Sequence, residues 1–287
     1  MKWERGTDNP DVIDARGRTG GGIRTPHIAG AGVGAAVIIF LVARFLGVDV
    51  SGLFGASDTT APVTQTQQGN APPKGTDADA ELKDFVSFVM KDVQDSFTAV
   101  FKRSGKTYER AKLVIFNAEI DTGCGRSSAA IGPFYCPPDR SAYIDLSFYR
   151  ELKDRFGAPG DFAQAYVLAH EIGHHVQNLL GVEQNKSNLA KSHSRNENSV
   201  RIELQADCFA GVWGHEAQGR KLLEVGDLEE AITAAQAIGD DRLEKDAGME
   251  VNPETFTHGT SAQRVKWFRR GFDSGDLKAC DTFSVDP

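Results

Sequence analysis

In the run YVLAHEIGHHVQNLL, two histidines stand four residues apart, at positions 170 and 174. On an α-helix residues i and i+4 lie one above the other, so His170 and His174 share a face and two imidazoles can converge on one metal ion. The flanks are strongly helical in pattern, and the spacing predicts a helix over 162–180 that ends at Gly181 as a C-cap would. Glu171, one residue on, is rotated about 100° around the axis, beside the metal but not aimed through it. A carboxylate there can hold an attacking water and take its proton, which is the chemistry of an H-E-x-x-H string on a helix. Such a helix constrains the fold: another element must face it and bring at least one more ligand, because a catalytic zinc takes three protein ligands and keeps a fourth position open.

The sequence offers that element downstream. In VRIELQADCFAGVW, Glu203 and Asp207 are again four apart, among apolar Val200, Leu204, Phe209 and Val212. Glu203 completes a His₂Glu set for one Zn²⁺ per chain, and Asp207 is placed to accept the spare N–H of a ligand histidine. His175 points off the metal and reads as a packing or rim residue, while His193 and His215 read as solvent-facing. Further helices are expected over 80–101, 200–217, 227–246 and 261–272. Strands are expected at KLVIF (112–116) and AYIDL (142–146), with a loop over 121–138. Helices outnumber strands and the strands cluster early, an α+β pattern.

A net charge of −8 with no basic stripe excludes a general nucleic-acid binder. Residues 28–48, IAGAGVGAAVIIFLVARFLGV, are long and apolar enough for a membrane anchor, with only Arg44 breaking the run. Basic residues crowd before it, which predicts a single-pass protein with residues 1–27 cytoplasmic and the rest extracytoplasmic. A cleaved signal peptide is the rival reading, weakened by the long leader and the lack of a clean cleavage site. The Ser/Thr/Gln/Gly/Pro-rich stretch over 49–79 reads as a tether, and a folded domain is expected over 80–287. Cys124, Cys136, Cys208 and Cys280 contain no C-x-x-C pair, and an exported domain favours two disulfides. Locality favours Cys124 with Cys136, leaving Cys208 and Cys280.

HEIGHHVQNLLG, VRIELQADCFAGVW and FTHGTSAQR, in that order, resemble the bacterial family of putative neutral zinc metallopeptidases, as does the opening MKWERGTDNPDVIDARG. The resemblance implies a zincin-like fold and peptidase activity on a peptide or protein substrate. Within the wider gluzincin group, the ligand and base pattern carries over onto His170, Glu171, His174, Glu203 and Asp207. The segment from Thr257 and His258 to Arg264 is similar to the T-H-P…R element of membrane-associated zinc peptidases, with Gly259 in place of the proline. The expected reaction is peptide hydrolysis by a zinc-bound water with Glu171 as general base. His258 is the first candidate for oxyanion stabiliser and Tyr143 the second, with Arg264 in support of a charged intermediate. The strand at 142–146 is expected to bind substrate backbone as a sheet edge. The alternatives are a non-catalytic zinc-stabilised binding domain and a latent peptidase whose zinc is blocked by His258.

Overall fold

The structure is a computed structural model that describes residues 1–17, 79–182 and 194–285. The sheet is built on KLVIF. It forms β2 (Lys112–Phe116), a continuous apolar run of the kind that a strand covered on both faces requires. Leu113 and Ile115 point into the main core, while Val114 and Phe116 point into a smaller cluster with Cys136 and Tyr143. On one side β2 pairs in parallel with β1 (Val12–Asp14), in register Val12 to Leu113. After the hairpin β3 (Glu119–Thr122) and β4 (Gly125–Ser128), the chain returns through β5 (Phe134–Cys136). It then enters β6 (Ser141–Asp145), parallel to β2 and antiparallel to β5. The order is β1-β2-β6-β5.

The helices are α1 (Ala80–Arg103), α2 (Phe148–Asp154), α3 (Asp161–Leu180), α4 (Arg195–Gly219), α5 (Asp227–Ala237), α6 (Asp240–Asp246) and α7 (Ser261–Ser274). A capping box begins α4, where Ser194 and Glu197 satisfy each other's backbone N–H, and Thr260 with Gln263 repeats the device at α7. α3, α4 and α7 pack successively on one another, with α1 against α3 and α4. The contact of α4 with α7 is close because it passes through Gly271, where a Cβ would lie 1.8 Å from the carbonyl oxygen of Cys208. Trp213, Trp267, Phe162, Phe209 and Phe268 fill the interior between these helices. The result is α+β, mainly helical with a small sheet.

Several expectations are corrected. Among the described residues no helix is long and apolar enough to cross a membrane, which overturns the transmembrane helix and the single-pass placement. The three longest helices, α1, α3 and α4, all carry charged side chains along their length. The stretch 28–48 itself, the tether before 79 and His193 lie outside the described residues. Residues 1–17 are also part of the domain, not a separate segment across a membrane. β1 is a strand of its sheet, Met1 and Trp3 join its core, and Trp3 meets Phe85 edge to face. Within 121–138 the expected loop contains β4 and β5, and the single helix expected over 227–246 is two. Asp240, the first residue of the second, bonds the backbone of 257–259. Finally, β6 is an inner strand, so the free edge next to it is β5.

Candidate metal centre

The spacing of α3 and α4 is set by Gly173, inside the HEIGHH string. A Cβ there would stand 2.8 Å from the carbonyl oxygen of Ala206, so only glycine lets the two helices approach this far. That approach carries Glu203, on α4, to both histidines of α3. Its Oε2 lies 3.1 Å from His170 Nε2 and its Oε1 3.6 Å from His174 Nε2. The imidazoles stand edge to face, centroids 4.9 Å apart, and the three ligand atoms all lie within 4.8 Å of one another.

This geometry can be tested against zinc. Ligands ~2.0–2.1 Å from a tetrahedral ion are separated from each other by ~3.3–3.4 Å. The 3.1 Å from Glu203 Oε2 to His170 Nε2 is near that value, and a His₂Glu donor set is one that zinc takes in hydrolytic sites. The residues fit the ion. Burial opposes ionisation of Glu203, but the two imidazoles outweigh it and hold the carboxyl well below the carboxylate range. Burial likewise opposes a charged His170, yet Asp207 and Glu203 raise its pKa to about 10.

Each histidine is oriented through its other nitrogen. His170 Nδ1–H donates to Asp207 Oδ1 at 2.8 Å. Asp207 is fully buried and also accepts from the Tyr166 hydroxyl at 2.5 Å and from Arg264 Nε and Nη2 at 2.8 and 2.9 Å. Burial pushes its carboxyl up, but the Arg264 guanidinium and His170 pull it below the ordinary range. Arg264 thus donates to the carboxylate that holds the His170 ring. His174 Nδ1 lies 2.9 Å from Gln177 Oε1. Tyr166 and Gln177 escaped sequence reasoning, although Gln177 carries a signal: it is three residues beyond His174, on the same helical face.

Glu171 is 8% exposed, and burial pushes its carboxyl up against the opposing pull of His170 and His174. Among the described residues no hydrogen-bond partner holds its carboxylate. His258 sits in the turn before α7. Asp240, which the sequence reading passed over, accepts the backbone N–H groups of Thr257, His258 and Gly259 on Oδ2 at 2.7, 2.6 and 3.0 Å. Its Oδ1 lies 3.0 Å from His258 Nδ1. This turn rests on the stripe of α4 that carries Glu203, since a Cβ on Gly259 would touch Val200 and Leu204. Burial opposes a charged His258, but Asp240 raises its pKa, with Glu203 adding to the effect. Tyr143 is placed elsewhere: its hydroxyl donates to Asp139 Oδ2 at 2.7 Å and its ring stacks on Phe134 in the smaller cluster. His175 is a packing residue, held by the Tyr135 hydroxyl and the Glu109 carbonyl. His215 is half-buried, with its Nδ1 2.7 Å from the Phe272 carbonyl oxygen. The disulfides are Cys124–Cys136 and Cys208–Cys280.

Two packed helices thus bring two imidazoles and a carboxylate together as a set that could hold a metal ion, with buried Glu171 beside them. The chain belongs to the family described as "Putative neutral zinc metallopeptidase", which it matches over residues 1–283. It is 48% identical to the uncharacterized protein YpfJ of Escherichia coli K12, over 99% of each chain. It is 41% identical to the uncharacterized protein Rv2575 of Mycobacterium tuberculosis H37Rv, over 85% of each chain. No solved structure matches it.

Proposed function

We propose that this protein is a zinc-dependent peptidase, with His170, His174 and Glu203 holding the ion and Glu171 serving as general base. The observation that carries the reading is the convergence of both Nε2 atoms and both Glu203 oxygens, with an unbonded carboxylate one residue from a ligand. A site that only stabilised the fold would have no use for Glu171. When bound, zinc would supply Lewis acidity, lowering the pKa of a water to about 7 and polarising the substrate carbonyl. Glu171 takes the proton of the attacking water and delivers it to the departing amine, and its burial raises its basicity for that task. His258, held by Asp240 at Nδ1, donates from Nε2 to the oxyanion of the tetrahedral intermediate. Asp240 and the stripe of α4 under Gly259 hold that ring in place.

Substrate backbone docks along the outer edge of β5, the sheet edge beside α3. The test is zinc titration of the chain with a peptide-library cleavage assay on wild type and Glu171→Gln. The expected result is one zinc bound by both proteins and cleavage by wild type alone. Cleavage that survives in Glu171→Gln, or that is indifferent to chelators, would sink the mechanism.

A further inference from the structure

The two ligand histidines are steadied by different groups. His170 leans on a carboxylate, which can only accept, so its Nδ1 must carry the proton. His174 leans on the amide of Gln177, which offers an acceptor at one end and a donor at the other. Which nitrogen of His174 is left for the metal therefore depends on which way that amide lies.

Two backbone carbonyls decide it. Gln205 Nε2 donates to the carbonyl of Cys280 at 2.8 Å, and a carbonyl cannot donate in return. The Gln205 oxygen is thereby turned toward Gln177, whose Nε2 donates to it at 3.1 Å and to the carbonyl of Ile202 at 2.7 Å. The Gln177 oxygen is left facing His174 Nδ1, which must be the donor, so Nε2 keeps its lone pair for the metal. Gln177 and Gln205 are 1% and 7% exposed and Cys280 is fully buried, so water does not compete along the chain of bonds. The far end is anchored as well. Cys280 is bonded to Cys208, three residues beyond Gln205 on α4, and Thr282 Oγ1 donates to the carbonyl of Arg201 at 2.7 Å. Arg201 Nη1 bonds the carbonyls of Thr282 and Val285.

We infer that the C-terminal segment at Cys280 sets the tautomer and aim of the metal ligand His174, with Gln205 and Gln177 as its positioning residues. The inference rests on the zinc reading of His170, His174 and Glu203, and adds a remote element to it. Neither glutamine touches the ion, so the role is read in zinc affinity and in the ring itself.

The experiment uses the full chain. Zinc dissociation constants are measured by chelator competition, and the histidine rings of the zinc-loaded wild type are assigned by ¹H–¹⁵N spectroscopy. His174 should carry its proton on Nδ1, in slow exchange with water. Gln177→Leu should raise the dissociation constant by ~10- to 100-fold, as loss of a group bonded to a ligand does. Gln205→Leu should raise it by up to ~10-fold, and the double variant should bind no worse than Gln177→Leu alone, since the two act in series. Wild-type affinity in Gln205→Leu, additive losses, or a His174 bound through Nδ1 would each overturn the inference while leaving the zinc site standing. A wild type that binds no zinc would overturn both. The ring assignment needs no variant, so it decides the matter even where a substitution prevents folding.

Discussion

Replacing Asp207 by asparagine separates two contributions that one carboxylate makes. In the native chain its two oxygens accept from Tyr166, His170 and twice from Arg264, with no exposure to solvent. Asparagine keeps the shape but removes the charge and turns an NH₂ group against those donors. The Arg264 guanidinium, 2% exposed, is left as an unpaired buried cation. Breaking one side of such a pair costs about 3–5 kcal/mol. In a domain of this size that is a fall of roughly 6–20 °C in the melting temperature of the zinc-free protein. Losing the acceptor for His170 Nδ1 should independently weaken zinc by ~10- to 100-fold, or about 1.4–2.8 kcal/mol. The double variant Asp207→Leu/Arg264→Met distinguishes the two effects. With both charges gone the desolvation penalty is lifted and most of the stability should return. Zinc affinity should stay low, because His170 still lacks its acceptor. Thermal unfolding in chelator measures the first quantity and chelator competition the second. If the double variant recovers both together, Asp207 acts on zinc only through stability and the orienting role is refuted.

Three further outcomes are expected. Glu203→Ala should release zinc at concentrations where wild type holds one ion, as measured by elemental analysis. Unchanged stoichiometry would move the third ligand elsewhere. Removing Cys208–Cys280, which closes a 72-residue separation, should cost about 4 kcal/mol in urea unfolding, against about 3 for the 12-residue Cys124–Cys136. The reverse order would show that native packing, not chain entropy, dominates. Asp240→Asn should lower turnover by no more than the ~100- to 1000-fold expected for His258→Ala, with zinc content and KM little changed. Zinc lost in step with turnover would instead make the 257–259 turn part of the metal site.

The candidate ligands could be named from the sequence because their signal is local. Helical spacing alone puts His170 over His174, and Glu203 over Asp207, and the structure keeps α3 and α4 within a few residues of the expected bounds. KLVIF was legible for a similar reason, since an apolar run of four with β-branched residues has few other uses. What escaped depends on contacts between distant segments. β1 is three half-buried residues whose only cue is a partner a hundred positions away. Asp240 looks like any acidic residue at a helix start until the turn at 257–259 folds over it. No pattern in α7 reveals that the Arg264 guanidinium bonds Asp207 on α4. The anchor reading failed differently: hydropathy over 28–48 says nothing about where residues 1–17 are bound, and they are bound in the domain.

The register of β1 on β2 also dictates an order of events during synthesis. Val12 emerges from the ribosome about a hundred residues before Leu113, the residue it faces. At ~5–20 residues per second that is a wait of roughly 5–20 s, far longer than a strand needs to pair once its partner exists. β1 therefore cannot be seated until β2 has been made. Its residues meet the bulk solvent, or a chaperone, as an unpaired end while α1 is translated. Completion of the sheet's outer edge thus reports that the chain has been made at least as far as β2.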